Sequence, residues 1–212
     1  MDLGEISEQI HTRLDAKHRA REQGLVASRQ TIRACSTAIR AIHRGEYERA
    51  EELMGEAREA LDDGVRALTP HPDVYYVGFL QDAQKEYAEA RATYAIVRGQ
   101  PLPTPEELKV GDAPYLNGLA EAIGEVRRHV LDLLRTEGHA RGEELLAVVD
   151  DIYYVLVSMD YPDAMTGGLR RSTDVARSIM ERTRGDFSLS EVHRQLEEAL
   201  RRHEERLAGG GV

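Results

Sequence analysis

Apolar residues recur along this chain at intervals of three and four positions, which is the spacing of one face of an α-helix. Prolines and glycines interrupt the pattern at a few places and divide it into separate segments. No segment alternates apolar and polar residues over a length that would favour a half-buried β-strand. The pattern predicts an all-α protein that forms a single domain over residues 1–212, a bundle of six or seven helices.

The breaks in this pattern set the predicted helix bounds. Gly24 is predicted to bend the first helix, and Gly185-Asp186 to separate the last two. The fifth helix is apolar on nearly every side, which is typical of a helix at the centre of a bundle. The predicted helices run approximately from Glu5 to His43, Tyr47 to Leu68, just after Asp73 to Val97, Pro114 to Leu134, Ala140 to Met159, Gly167 or Gly168 to Arg184, and from a cap at Ser188 or Ser190 to Leu207, followed by a frayed tail from Gly209 to Val212.

The composition fits a globular helical protein. Hydrophobic residues make up 41% of the 212 positions and charged residues 31%, which is enough for a sizeable core under a densely charged surface. The single cysteine, Cys35, excludes an internal disulfide and a metal site built from several cysteines. Because its neighbours are apolar, we expect Cys35 to be a buried and inert thiol.

The formal net charge is −10, which favours solubility and argues against diffuse electrostatic binding of nucleic acid. It leaves room for a local basic surface. The beginning of the chain lacks the basic and apolar run of a secretion signal, and no stretch is long and apolar enough to span a bilayer. We therefore expect a cytoplasmic protein with no membrane partner.

Two pairs of acids stand out on neighbouring predicted helices. Glu86 and Glu89 lie three positions apart, and Glu121 and Glu125 lie four apart, so each pair shares one helix face. Carboxylate oxygens at these positions would suit Mg²⁺ or Mn²⁺. The alternative is ordinary solvated helix surface, because a chain with 38 acids contains such pairs by chance.

Basic residues are concentrated on the first predicted helix. Lys17, Arg21, Arg29 and Arg33 are the candidate RNA-binding residues, since cations along one helix favour phosphate contacts. The alternative is a solvated helix whose cations pair with its own acids. Arg170 and Arg171 are predicted at a helix start, where the helix dipole opposes them, which suggests an anion or an acidic partner there.

Four segments carry a resemblance to a known family. Residues 84–90 read QKEYAEA and residues 115–125 read YLNGLAEAIGE; residues 39–54 (IRAIHRGEYERAEELM) and 166–171 (TGGLRR) extend the likeness over nearly the whole chain. Together they resemble the translin/TRAX family, on the side of the catalytic TRAX subunit. One position departs from the TRAX pattern, because Glu121 stands where that pattern has Asp and its carboxylate reaches one methylene further.

The resemblance implies a metal-dependent endoribonuclease that cuts single-stranded RNA. In TRAX, four acids on two helices bind a divalent metal, and by motif they correspond to Glu86, Glu89, Glu121 and Glu125, with Mg²⁺ or Mn²⁺ as cofactor. It also implies a closed, hollow homo-oligomer, an octamer. Two alternatives remain: a non-catalytic assembly protein that binds single-stranded nucleic acid, like translin, which lacks these acids, and an acidic helical adaptor with no nucleic-acid function.

Overall fold

The computed structural model describes residues 2–135 and 138–209, and regular structure in these ranges is entirely helical. This confirms the predicted all-α bundle. Six long helices are joined by three helices of four residues each. The long helices are α1 (Leu3–His43), α2 (Tyr47–Leu68), α4 (Phe79–Arg98), α6 (Asp112–Leu134), α7 (His139–Ser158) and α9 (Leu169–Gly209); the short ones are α3 (Pro72–Tyr75), α5 (Pro105–Leu108) and α8 (Asp163–Thr166).

The core consists of two hydrophobic clusters. The first is built by α1, α2 and α4 around side chains such as Ile42, Leu61 and Leu80. The second is built by α6, α7, α9 and the C-terminal half of α4, around side chains such as Ile123 and Leu145. Each fully buried aliphatic side chain stabilises the fold by roughly 1.5–3 kcal/mol. Helix α4 therefore belongs to both clusters and is packed on several sides.

The predicted third helix is in fact divided into α3 and α4. Gly78 adopts a φ of +115°, in the region that favours glycine, and this ends the helical path between the two. The Gln81 side chain accepts a hydrogen bond from the Gly78 N–H (3.1 Å) and donates one to the Tyr75 carbonyl (3.0 Å). The break leaves Tyr75 and Tyr76 on a bend ahead of α4.

The predicted break at Gly185-Asp186 is wrong, because α9 continues from Leu169 to Gly209 as one helix. A single glycine costs a helix only about 1 kcal/mol relative to alanine, and contacts across the bundle outweigh that cost. Arg127 on α6 donates hydrogen bonds to both Thr183 (3.0 Å) and Asp186 (2.8 Å). Residues 210–212 of the predicted tail lie outside the described residues.

The prediction that the fifth helix is central is also wrong. Helix α7 packs on α6 and α9 and buries one stripe, while its opposite face is exposed, with Tyr154 69% accessible and Val157 48%. Gly24 lies inside the continuous helix α1, where a Cβ would come within 2.6 Å of the Leu68 side chain, and the bend predicted there stays a prediction. Among the described residues, no helix is long and apolar enough to cross a membrane.

Candidate metal centre between helices α4 and α6

Helices α4 and α6 approach each other most closely at Gly118. A Cβ at this position would lie 2.7 Å from the Lys85 carbonyl oxygen and 2.9 Å from the Glu89 backbone nitrogen, so only glycine fits. Glu121 follows Gly118 by one helical turn and therefore lies on the same face of α6. The close contact is what brings acids of the two helices together.

Three of the four predicted acids form a cluster at this contact. Glu86, Glu89 and Glu121 each offer a carboxylate oxygen, and these oxygens all lie within 4.8 Å of one another. Glu89 is only 8% exposed, whereas Glu86 and Glu121 are half-buried. We call these three residues the acidic trio. Hard oxygen donors at this spacing are the ligands that Mg²⁺ and Mn²⁺ prefer.

Burial places the acidic trio under electrostatic stress. Burial raises the pKa of Glu89 to about 8, and the charges of Glu86, Glu121 and Glu125 contribute to the increase. Burial also raises the pKa of Glu86, and Lys85 offsets this only in part. A cation at the trio would favour the ionised carboxylates and relieve both effects.

Lys85 already supplies one positive charge to the trio. Its Nζ lies 2.7 Å from Glu121 Oε1 and 3.5 Å from Glu86 Oε1. Burial lowers the pKa of Lys85, but its hydrogen bond to Glu121 and the two carboxylate charges outweigh burial, so the net shift is upward. Lys85 was not among the site residues predicted from the sequence. Its position four residues before Glu89, and hence on the same helix face, was the available signal.

Glu125, the fourth predicted acid, is not part of the trio. Its Oε2 lies 2.5 Å from Nε2 of His43, whose side chain is only 3% exposed. This hydrogen bond lowers the pKa of Glu125. His43 was also missed, although it follows Ile39 by four positions and Cys35 by eight, which places it on the buried face of α1.

A cavity of about 400 Å³ opens beside the trio. It is lined by Glu89 and Glu121 and, from the first turn of α9, by Arg171 and Ser172. Arg171 lines this acid-lined cavity and is exposed to solvent, so it contributes a positive charge there. Arg170, by contrast, lies 3.7 Å from Asp160 with both side chains in solvent. Of the two arginines predicted to meet an anion, Arg171 is the one at the cavity.

The predicted RNA-binding residues all lie on α1. Arg29 and Arg33 are exposed. Lys17 forms an ion pair with Asp73 at 2.5 Å, and Arg21 one with its neighbour Glu22 at 2.7 Å. Their role in RNA binding stays a prediction. Cys35 is fully buried, as expected, and burial together with Glu86 and Glu89 raises its pKa, which disfavours the reactive thiolate.

Comparison with known sequences finds one informative relative. No protein-family model matches the chain. A protein of Methanocaldococcus jannaschii whose function is uncharacterized is 32% identical over 188 residues, which are 88% of this chain and 83% of the relative.

Comparison with solved structures is more specific. The crystal structure of AfC3PO is 35% identical and superposes with a TM-score of 0.82, over 89% of this chain and 98% of that one. The complex of AfC3PO with duplex RNA gives the same TM-score at 34% identity, over 89% and 97% of the two chains. Apo-NeC3PO is 18% identical with a TM-score of 0.79, over 90% and 99%, and shows a shared fold.

Proposed function

This chain belongs to the translin/TRAX family, and we propose that it is a TRAX-like, divalent-metal-dependent endoribonuclease that cuts single-stranded RNA inside a hollow homo-oligomer. The observation that carries the proposal is the acidic trio. Three carboxylates converge within 4.8 Å, and one of them, Glu89, is buried. Acids on the solvent-facing surface of a helix stay in contact with water, so they do not incur the free-energy cost of burying a carboxylate.

The donor set fits a hard divalent cation. Glu86, Glu89 and Glu121 would hold Mg²⁺ or Mn²⁺ through carboxylate oxygens. When bound, such an ion supplies a Lewis acid for a phosphate oxygen and lowers the pKa of a coordinated water. The resemblance adds Glu125 to the ligands, and the hydrogen bond to His43 keeps this carboxylate ionised, as a ligand must be.

The chain's own cations complete the site. Arg171, which lines the 400 Å³ cavity, would hold an RNA phosphate against the trio. Lys85 neutralises part of the trio's charge, which reduces repulsion of the incoming phosphate. Lys17, Arg21, Arg29 and Arg33 would contact phosphates further along the strand. RNA as the substrate class is supported by the AfC3PO complex with duplex RNA.

The proposed oligomer rests on exposed apolar surface. Leu189, Val192, Leu196 and Leu200 recur along α9 at helical spacing, and each is more than half accessible in the isolated chain. Packing of these stripes between subunits would remove them from water, and we propose a closed homo-octamer. Light scattering at micromolar concentration tests this, and a monomer would contradict it.

The decisive experiment measures cleavage of a circular, labelled, single-stranded RNA with Mg²⁺, Mn²⁺ or EDTA. A circle has no ends, so linear product demonstrates endonucleolytic attack. We expect cleavage with metal and none with EDTA. Glu89→Gln and Glu121→Gln should lose roughly 100-fold or more of the activity, since even the outer partners of metal ligands contribute about 10–100-fold.

The matched control is Glu59→Gln, which removes an exposed acid from α2. It should cleave like the parent. RNA affinity and circular dichroism, measured in parallel, separate a loss of chemistry from a loss of folding. Full activity in both trio variants would remove the nuclease proposal.

A second function is favoured by one observation. Lys85 already bridges Glu121 and Glu86, as a cation does in a purely structural ion-pair network. In that case the protein is a non-catalytic, translin-like assembly that binds single-stranded nucleic acid. The same experiment distinguishes the two, because this alternative predicts RNA binding without metal-dependent cleavage in the parent.

A further inference from the structure

A second and larger groove opens next to the acidic trio. Its volume is about 850 Å³, within the range of about 300–1,000 Å³ that small-molecule sites occupy. Glu121 and Ser172 line both this groove and the 400 Å³ cavity, so the two are neighbours. Five stretches of chain form its walls: residues 75–78, 81–85, 109–114, 117–121 and 164–172.

Two buried amide side chains hold these walls together. Gln84 on α4 is 4% exposed; its Nε2 donates to the Tyr75 hydroxyl (3.3 Å) and its Oε1 accepts from the Gly111 N–H (3.1 Å). Asn117 on α6 is 7% exposed; it donates to the Thr166 carbonyl (2.8 Å) and accepts from the Ser172 hydroxyl (2.7 Å). Hydrogen-bonded buried amides fix the shape of the groove before any ligand arrives.

An aromatic ring stands exposed at the edge of the groove. Tyr76 is 73% accessible, and its ring centroid lies 4.7 Å from that of Tyr75, which supports it from one side. The Tyr75 hydroxyl is in turn held by Gln84. The two rings are tilted at 58° to each other, so Tyr76 is an exposed aromatic side chain beside a partly buried one, and exposed aromatic rings are the surfaces on which unpaired bases stack.

The charges of the groove are mixed and specify what it can hold. Lys85 and Lys109 are its cations, and Asp82 and Asp112, with Glu121, its acids. A phosphate placed among these acids would be repelled, whereas carboxylates accept hydrogen bonds from ribose hydroxyls and base N–H groups. Exposed Lys109, held at a φ of +49°, offers a cation for one phosphate of the ligand.

Resting on the proposed nuclease function, we propose that this groove is a subsite for one unpaired nucleotide next to the phosphate that is cut. The base stacks on Tyr76, and Lys109 binds the phosphate on the far side of that nucleotide. The 400 Å³ cavity, with the trio and Arg171, receives the phosphate on the near side. The subsite selects single strands, because a base inside a duplex has both faces covered by its neighbours.

The test uses a short single-stranded RNA that carries one 2-aminopurine, a base whose fluorescence is quenched on stacking. Binding is measured with EDTA, so that no cleavage is needed for the readout. Tyr76→Ala should weaken binding about tenfold, the loss expected for one base–aromatic stack, and abolish the quenching. Tyr76→Phe keeps the ring and should bind within about twofold of the parent. Lys109→Ala should lower by about one the number of counterions released on binding, which is measured from the dependence of affinity on salt concentration.

The matched control is Tyr154→Ala, because Tyr154 is 69% exposed and its ring lies 6.2 Å from the neighbouring Tyr153, outside the groove. It should bind like the parent, with an unchanged mass by light scattering. With Mg²⁺, Tyr76→Ala should raise KM far more than it lowers kcat. A blunt RNA duplex should be insensitive to the Tyr76 substitution.

Two results would overturn the subsite: unchanged affinity and quenching in Tyr76→Ala, or an equal loss of affinity for the duplex. Its failure is distinguishable from that of the nuclease proposal. If the parent cleaves with metal while the Tyr76 variants behave like the parent, only the subsite is lost. If the parent never cleaves but binding still depends on Tyr76, the nucleotide site stands and the nuclease proposal is lost.

Discussion

Glu89 and Glu125 lie close enough to interact, yet their pKa values are shifted in opposite directions. Burial and neighbouring carboxylates raise the pKa of Glu89 to about 8, whereas the hydrogen bond to His43 lowers the pKa of Glu125. The difference is the partner. Glu125 has one supplied by the fold, and Glu89 shares a single lysine with two other acids. An acid left without enough internal countercharge is the one that an external cation can stabilise.

The largest effect is expected when α4 and α6, the two helices that bring the acids together, are moved apart. Gly118→Ala places a Cβ against the backbone of α4 and should destabilise the fold by about 1–3 kcal/mol, as overpacking does. Displacing α6 should also separate Glu121 from Glu86 and Glu89, so cleavage should fall by roughly 100-fold. Thermal unfolding and cleavage rates measure the two effects.

Gly124→Ala is the matched control on the same helix. Its Cβ would meet only Ile179 Cδ1, at an ordinary 3.7 Å. Alanine should therefore stabilise the helix by about 0.5–1 kcal/mol and leave cleavage intact. Equal damage from both alanines would mean that the close contact at Gly118 does not organise the site.

Metal binding sharpens the comparison through stability. Mg²⁺ or Mn²⁺ at about one hundred times its dissociation constant should stabilise the parent by about 2.7 kcal/mol, seen as a higher Tm. Glu89→Gln and Glu121→Gln should lose this shift, and Glu59→Gln should keep it. If the Tm of the parent does not change when metal is added, the trio binds no metal.

The same substitution should have opposite effects at the two acids without metal. At pH 9, Glu89→Gln removes a buried and insufficiently paired charge and should raise the Tm by several degrees. Glu125→Gln deprives buried His43 of its charged partner and should lower the Tm, since losing this hydrogen bond costs about 1–2 kcal/mol of stability. Shifts of the same sign, measured with EDTA, would contradict the contrast between the two environments.

The raised pKa of Glu89 also predicts a slope of stability with pH. The pKa of Glu89 is about 8 in the folded state and 4.5 as a reference value. Between these values the folded chain holds a proton that the unfolded chain has lost, so Glu89 makes stability fall as pH rises. The slope is at most about 1.4 kcal/mol per pH unit. The advantage of Glu89→Gln over the parent, from denaturant unfolding with EDTA, should therefore grow from pH 5 to 8 and level off above. An advantage independent of pH would refute the raised pKa.

Helical periodicity was sufficient to predict the six long helices, because each buries a regular stripe. It failed where single residues compete with packing across the bundle. Gly185 suggested a break that Arg127 and the second core cluster override, whereas the break at Gly78 was missed because the apolar pattern continues through it. The first outcome depends on contacts between distant parts of the chain and the second on the backbone conformation of one glycine, and periodicity encodes neither.

The candidate site divides in the same way. Spacing and resemblance led to all four acids, since both signals are local in sequence. The partners of those acids are not local: His43 reaches Glu125 from the end of α1, and Arg171 reaches the cavity from the start of α9. The division of the four acids into a trio and a paired carboxylate therefore required the structure.

Helix α4 is packed by both core clusters, and this has a consequence for how the protein can change over generations. A substitution on α4 disturbs two cores and the acids at once, so its sequence has little freedom to drift. Two stretches, residues 109–112 and 164–167, line the larger groove from outside the long helices or at their ends. Within them Lys109, Asp112, Ala164 and Met165 belong to neither cluster, so their replacement leaves both cores in place. We expect inherited differences in substrate preference to accumulate in these two stretches, while the chemistry on α4 stays fixed.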